Sequence, residues 1–84
     1  MKIVFSSKSW EEYLKWQKTD PHILKRINDL IKDISINPLK RMGKPEPLKH
    51  ALSGYCSRRI NEEHRLVYNF KEDALFIAQL RYHY

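Results

Sequence analysis

Two stretches of the sequence contain side chains that can accept or donate a proton near neutral pH. In the first, GKPEPLKH, Glu46 stands between two prolines; the second, RYHY at residues 81–84, contains His83. Because proline has a fixed φ and biases the preceding residue toward extended geometry, we expect the carboxylate of Glu46 to be presented in one position. Lys44 and Lys49 flank it, so this carboxylate should stay ionised at neutral pH. On this stretch alone, a solvated loop glutamate is the alternative.

From Tyr55 onward, polar and apolar residues alternate with the period of two that is typical of β-strands. Arg59, Arg65 and His83 share one parity, and we expect an antiparallel meander to bring them together at one end of the sheet. Glu63 has the same parity and could orient the guanidinium group of Arg65. Two arginines and a histidine on one face favour an anion site, because guanidinium groups match the geometry of phosphate. A polar sheet side that simply faces solvent is the alternative.

Together these groups match the requirements of RNA cleavage. A fixed carboxylate can accept a proton, a histidine can donate one and arginines can hold the phosphate, while the RNA supplies its 2′-hydroxyl as the nucleophile. This set requires no metal and no cofactor, and we expect neither, because the histidines are scattered and no Cys-x-x-Cys pair exists. The absence of a glycine-rich phosphate-binding loop also argues against nucleoside triphosphate chemistry.

A short strand and a helix are predicted at the beginning of the sequence. The stretch KIVFS, residues 2–6, is rich in β-branched and aromatic residues. Ser9 and Glu12 then have the capping-box spacing that satisfies free amide groups at a helix start. Trp10 and Trp16, which lie on this helix, are candidates for exposed aromatic residues.

A second, longer helix follows. Thr19 or Asp20 can cap it, and Pro21 suits its first turn, where no amide donor is required. Asn37-Pro38 is predicted to end it. Its apolar face is formed by residues at helical spacing, namely Ile23, Ile27, Leu30, Ile31 and Ile34.

Three strands are predicted after a long loop at residues 38–54, and loops of this length are often functional. The strands are YCSRRI, HRLVYNF and ALFIAQLRYH, with NEE and KED as the turns between them. The parity set predicted to pack under the helices comprises Ile60, Leu66, Tyr68, Phe70, Phe76, Ala78 and Leu80. The mostly polar set predicted to face away comprises Tyr55, Ser57, Arg59, Arg65, Val67, Asn69, Gln79, Arg81 and His83.

This order predicts an α+β fold: a four-stranded antiparallel sheet with two N-terminal helices on one face, in the order β-α-α-β-β-β. We expect residues 1–84 to form a single domain. The formal net charge of +6 favours a polyanion or an acidic protein as partner. Neither a secretory leader nor a membrane-spanning apolar run is found, so we expect a cytoplasmic protein with no membrane contact.

The stretches GKPEPLKH, LSGY, SRRINEEHRLVY and RYHY together resemble the YoeB family of bacterial toxins, within the RelE/ParE superfamily. The similarity runs along the full chain and includes SWEEYLKWQ and KRINDLIKDI. The resemblance implies a RelE-like fold and an mRNA endoribonuclease that acts in the ribosomal A site. It also implies a homodimer and a YefM-like antitoxin whose acidic C-terminal segment covers the active site.

The resemblance further implies roles for individual residues. Glu46 would be the general base, His83 the general acid, Arg65 the stabiliser of the phosphate in the transition state, and Tyr84 an active-site partner. Lys49 and Arg59 match family positions that contact RNA, and the candidate RNA-binding residues are Lys44, Lys49, Arg59 and Glu63. One departure is Cys56, where relatives more often have an aromatic residue; its parity directs it away from the site.

Two other functions are compatible with the same sequence. A ParE-like inhibitor of gyrase would have this fold and act by protein binding without cleavage, but it would not need Glu46, Arg65 and His83. A non-catalytic RNA-binding or ribosome-binding domain would need only charge and exposed aromatic residues.

Overall fold

Two helices and a sheet make up the part of the chain described by the structure, a computed structural model. It describes residues 1–36, 46–47 and 54–82, of which 46–47 by their backbone alone. The elements are β1 (Lys2–Phe5), α1 (Ser7–Thr19), α2 (Pro21–Ile36), β2 (Glu46–Pro47), β3 (Cys56–Arg59), β4 (Arg65–Lys71) and β5 (Ala74–Gln79). Within these ranges, neither helix is long and apolar enough to cross a membrane.

The strands form one sheet in the order β1-β5-β4-β3-β2. Pairing is antiparallel from β2 to β5, whereas β1 pairs parallel with β5. The predicted α+β fold, element order and four strands are confirmed, with the two-residue β2 as an additional edge strand, but the prediction that the sheet is fully antiparallel is wrong. The alternation of polar and apolar residues predicts that a segment is a strand, but not which strand pairs with it. In the structure β1 pairs with the free edge of β5, and the two-residue β2 lies inside the loop predicted at residues 38–54.

The start of α1 differs from the predicted capping box. Ser6 is the N-cap, and its hydroxyl accepts a hydrogen bond from the amide of Ser9 at 3.0 Å. Ser9 is fully buried, and its own hydroxyl donates to the carbonyl of Ile77 at 2.7 Å. Glu12 accepts from the amide of Leu80 at 2.8 Å. The side chains of the predicted capping box, Ser9 and Glu12, therefore attach the helix to the end of β5.

The cap, the first turn and the apolar face predicted for α2 are confirmed, whereas the predicted stop at Asn37-Pro38 lies outside the described residues. The Asp20 carboxylate accepts hydrogen bonds from the amides of His22 and Ile23 at 3.1 and 3.3 Å, and Pro21 is the first helical residue. The helix ends at Ile36, immediately before Asn37-Pro38. Its apolar face packs into the main core, which comprises Trp16, Ile27, Leu30, Ile31, Ile34, Ile60, Leu66, Tyr68, Leu75, Ile77 and Leu80.

A register shift between β4 and β5 changes which residues of β5 face the helices. Val67 pairs with Gln79 while Tyr68 pairs with Ile77, so Ala78 is an extra residue on the β5 side. Such a bulge interrupts the alternation of side chains. Consequently the residues of this part of the chain that belong to the main core are Leu75, Ile77 and Leu80.

The predicted parity sets are therefore only partly right. Ile60, Leu66, Tyr68 and Leu80 are buried as predicted, whereas Phe70 and Phe76 are 41% and 37% exposed. Trp10 is exposed at 46%, but Trp16 belongs to the core, contrary to prediction. In the set predicted to face away from the helices, Ser57, Arg65 and Val67 are buried.

A buried ion pair joins β3 to α2. Nη1 of Arg58 lies 2.6 Å from Oδ2 of Asp33, and the side chains are 0% and 13% exposed. Tyr68 lies beside this pair, opposite Cys56. Burial raises the pKa of the Tyr68 phenol, and the neighbouring guanidinium of Arg58 offsets part of that rise. The inner side of β3 thus contains a buried positive charge that pairs with the carboxylate of Asp33.

We expect Asp33→Ala to lower the free energy of unfolding by about 3–5 kcal/mol, because it leaves Arg58 buried without its counter-ion. Asp29→Ala is a matched control on the same helix, since Asp29 pairs with Lys25 at 3.0 Å on the surface. Exposed pairs of this spacing contribute only about 0.3–0.5 kcal/mol. Urea unfolding of both variants would measure the difference, and equal losses would contradict the role given to the Arg58–Asp33 pair.

Candidate active site

Arg59 and Arg65 lie directly opposite each other in the antiparallel pair β3–β4. Residues in register across such a pair project from the same face, so both cationic side chains leave the sheet at one place. Arg59 is exposed, whereas Arg65 is only 8% exposed. One cation therefore lies at the surface of the candidate site and the other is buried next to it.

Arg65 is held by directional bonds at both ends of the residue. Its Nε donates a hydrogen bond to Oγ of Ser57 at 2.9 Å, and Ser57 is fully buried. Its backbone amide donates to the carbonyl oxygen of Tyr82 at 3.1 Å. A guanidinium held in this way needs little reorganisation to meet a charge that develops in front of it.

The β3–β4 turn, predicted from the letters NEE, sets where β4 begins. Oδ1 of Asn61 accepts hydrogen bonds from the amides of Glu63 and His64 at 2.9 and 2.8 Å. The amides of Ile60 and Asn61 both donate to the carbonyl of His64. The turn is therefore closed by its own asparagine, and Arg65 follows as the first residue of β4.

Glu63 does not have the predicted role of orienting Arg65. Its side chain is 70% exposed, and its Oε1 lies 3.4 Å from Nε2 of His64. The bonds of Asn61 hold Glu63 in the turn rather than in the strand, so the parity of a strand does not apply to it.

Glu46 lies one strand away from the anchored arginine. In the β2–β3 pair its backbone is in register with Ser57, the residue that binds Arg65. The structure thus brings the chain at Glu46, Arg59 and Arg65 to one end of the sheet. The other candidate residues, Lys44, Lys49, His83 and Tyr84, lie outside the described residues.

The charges at this end of the sheet favour an anionic ligand. Like charges directly opposite each other on a sheet destabilise it, and Arg59 and Arg65 form such a pair. A phosphate group at this end of the sheet could accept charge-assisted hydrogen bonds from these guanidinium groups.

Sequence reasoning missed three residues that shape this site. The side chain of Arg58 faces the core, on the opposite side of β3 from that of Arg59. The alternation of residues along β3 could have indicated this difference. The sequence predicts Ser57 on the polar face of the sheet but does not indicate that it binds Arg65. His64 is buried against Trp16, with 4.8 Å between ring centroids, and no pattern in the sequence indicates this contact.

Comparison with known proteins places this arrangement among small bacterial toxins. The toxin YoeB of Escherichia coli (strain K12) is 60% identical over 84 residues, which is all of both chains. A solved YoeB–YefM complex from Staphylococcus aureus contains a chain that is 46% identical, with a TM-score of 0.93. The match covers 100% of this chain and 98% of that one.

A solved YoeB dimer from Staphylococcus aureus is similar to the same degree, with 47% identity, a TM-score of 0.93 and the same coverage. The family model for the YoeB-like toxin of bacterial type II toxin–antitoxin systems matches residues 5–84. The chain belongs to this family.

We expect inorganic phosphate to raise the temperature of unfolding more than chloride does at equal ionic strength, because it binds between Arg59 and Arg65 only in the folded state. Arg59→Gln should weaken phosphate binding by about three- to tenfold, through loss of one charge-assisted hydrogen bond. Lys71→Gln removes an exposed cation from the opposite end of β4 and is the control. Equal weakening in both variants, measured by thermal unfolding, would show that phosphate responds only to net charge.

Proposed function

We propose that this toxin is a ribosome-dependent endoribonuclease that cleaves mRNA in the A site and so inhibits translation. The observation that carries the proposal is the anchored arginine: Arg65 is buried, bound to Ser57 and directly opposite Arg59. This geometry suits a phosphate diester, and the register of β2 brings the chain at Glu46 to the same end of the sheet.

In the proposed reaction, the carboxylate of Glu46 takes the proton from a 2′-hydroxyl group of the RNA. The 2′-oxygen then forms a bond to the adjacent phosphorus, and the bond from phosphorus to the 5′-oxygen breaks. His83 gives its proton to that departing oxygen. The products are a cyclic phosphate on one fragment and a 5′-hydroxyl on the other, with the protons balanced between base and acid.

Arg65 would stabilise the negative charge that develops on the phosphate oxygens. Its low exposure strengthens this interaction, because charges attract more strongly where water is excluded. Arg59 is exposed and would instead contribute a salt-dependent contact with the RNA backbone. The proposed functions of the other candidates follow the family: Tyr84 completes the active site, while Lys44, Lys49 and Glu63 contact RNA.

We further propose that a YefM-like antitoxin silences this toxin in the cytoplasm. The related Staphylococcus aureus toxin forms a complex with YefM. An acidic C-terminal segment of such a partner would be attracted by the net charge of +6 and could occupy the anion site at Arg59 and Arg65.

A homodimer is proposed from the related dimer and from one surface of this chain. Trp10 stacks on Tyr13 with ring centroids 5.6 Å apart, and Phe5 packs against both rings. Trp10 nevertheless remains 46% exposed. Exposed aromatic clusters of this kind are typical of protein interfaces.

The acid–base assignment predicts a bell-shaped dependence of the single-turnover rate on pH. Carboxylates ordinarily titrate near ~4.3 and imidazoles near ~6.5, and the active form has the base deprotonated and the acid protonated. Glu46→Gln should remove the acidic limb and His83→Gln the alkaline limb, each lowering the rate by about 10²–10⁴-fold. Arg65→Lys should lower the rate at every pH and move neither limb, because arginine does not titrate in this range.

These rates would be measured on ribosome-bound message, with toeprinting to locate the new ends and circular dichroism to confirm folding. Glu46→Gln with an unchanged rate and acidic limb would exclude Glu46 as the base. Antitoxin binding without any cleavage by the wild-type protein would favour a toxin that acts by protein binding.

Light scattering at micromolar concentration is expected to give twice the chain mass of 10.2 kDa. Trp10→Glu should shift the protein to a monomer, because it places a charge in the aromatic cluster. Ile36→Glu, at an apolar residue that is 73% exposed at the end of α2, is the matched control and should leave the dimer intact. A monomeric wild-type protein would contradict the proposed dimer.

A further inference from the structure

The chain leaves the sheet after Gln79, and residues 80–82 no longer belong to a strand. Backbone amide and carbonyl groups that lose strand partners must find others if they are removed from water. In this segment the partners come from α1 and from the start of β4.

Leu80 is bound by two side chains one turn apart on α1. Its amide donates to Oε1 of Glu12 at 2.8 Å, and its carbonyl accepts from Nε1 of Trp16 at 2.9 Å. Both backbone polar groups of Leu80 are therefore satisfied by the helix. The carbonyl of Arg81 accepts from the side-chain amide of Gln79 at 2.7 Å.

Tyr82 is bound by two consecutive residues at the start of β4. Its amide donates to Nδ1 of His64 at 2.8 Å, and its carbonyl accepts from the amide of Arg65 at 3.1 Å. Its φ is +60°, in the left-handed region that a bulky residue rarely adopts. Such a conformation persists only where the surrounding bonds enforce it.

His64 is well placed to enforce it. The ring is 5% exposed, packs edge-on against Trp16 and lies 5.4 Å from the ring of Tyr82. Because Nδ1 accepts a hydrogen bond, it must be without a proton, and Nε2 carries the proton of the neutral ring. The guanidinium of Arg81 lies over the rings of Trp16 and Tyr82 and completes the packing.

We propose that His64 is a positioning residue of the active site, acting through the Tyr82 amide. By holding Tyr82 in its left-handed conformation, Nδ1 of His64 sets the direction in which the chain continues into the next residue, His83. The inference rests on the proposed function, in which His83 is the general acid. The carbonyl of Tyr82 is bound by the amide of Arg65, so the backbone that precedes the proposed acid is attached to the proposed phosphate-binding arginine.

Two substitutions separate the acceptor atom of His64 from its ring. His64→Phe keeps a ring against Trp16 and removes the acceptor, whereas His64→Asn removes the ring and retains an acceptor oxygen near the position of Nδ1. A displacement of about 1 Å in a catalytic group can lower a rate by ~10²-fold. We therefore expect His64→Phe to lower the single-turnover rate by about 10- to 100-fold and His64→Asn to keep the rate within about threefold of wild type.

Hydrogen exchange of the Tyr82 amide provides a second measurement that does not depend on catalysis. Exchange should become at least about tenfold faster in His64→Phe than in His64→Asn, because only the former leaves this amide without its acceptor. His22→Phe, at an exposed histidine on α2, is the control for the loss of an imidazole and should change neither measurement.

The inference is overturned if His64→Phe cleaves at the wild-type rate, or if both variants lose activity to the same extent, since packing alone would then explain His64. A loss of activity in His64→Asn alone would also overturn the inference, because packing of the ring would then explain the effect of His64. A failure of the proposed function is distinguishable, because the wild-type protein would then not cleave at all. In that case the hydrogen-exchange rate of the Tyr82 amide still shows whether His64 binds this backbone.

Discussion

The register shift between β4 and β5 is the constraint on which the arrangement of the site depends. With Ala78 as an extra residue, Ile77 and Leu80 both reach the core although three positions separate them. The strand then ends, and residues 80–82 cross to α1 and to the start of β4. A regular ladder would have continued along β5 and left these backbone groups bound to the sheet. The bulge is therefore what directs the chain toward Arg65.

The two helices are attached to the sheet by different physical interactions. Ser9, Glu12 and Trp16 lie on one face of α1, and each forms a hydrogen bond to β5 or to the residue that follows it. Hydrogen bonds are directional, so they fix the rotation of this helix about its axis and its position along β5, next to the candidate site. By contrast, among the described residues α2 contacts the sheet mainly through its apolar face, with the Asp33–Arg58 ion pair and a hydrogen bond from Arg26 to the carbonyl of Arg59 at β3. The precision required near the site thus comes from α1.

The sequence allowed the start and the buried face of α2 to be predicted, because its cap at Asp20 and its apolar spacing are local signals. Family membership followed from motifs spread along the whole chain. The orientation of β1, the bulge at Ala78 and the docking of Ser9 could not be predicted in this way, because each depends on a partner distant in sequence. Within the candidate site, the pairing of Arg59 with Arg65 could be expected from the alternation of residues along β3 and β4. The burial of His64 and the exposure of Glu63 could not, because they depend on hydrogen bonds to Tyr82 and Asn61.

The Arg58–Asp33 pair has a consequence for the response of the protein to heat. The penalty for removing charged groups from water falls as temperature rises, whereas the contribution of apolar burial levels off. The ion pair between β3 and α2 therefore contributes relatively more to stability as temperature rises, whereas the neutral hydrogen bonds of Ser9 and Trp16 on α1 do not share this trend. The pair that follows this trend lies on the inner side of β3, one residue away from Arg59 and on the opposite side of the sheet.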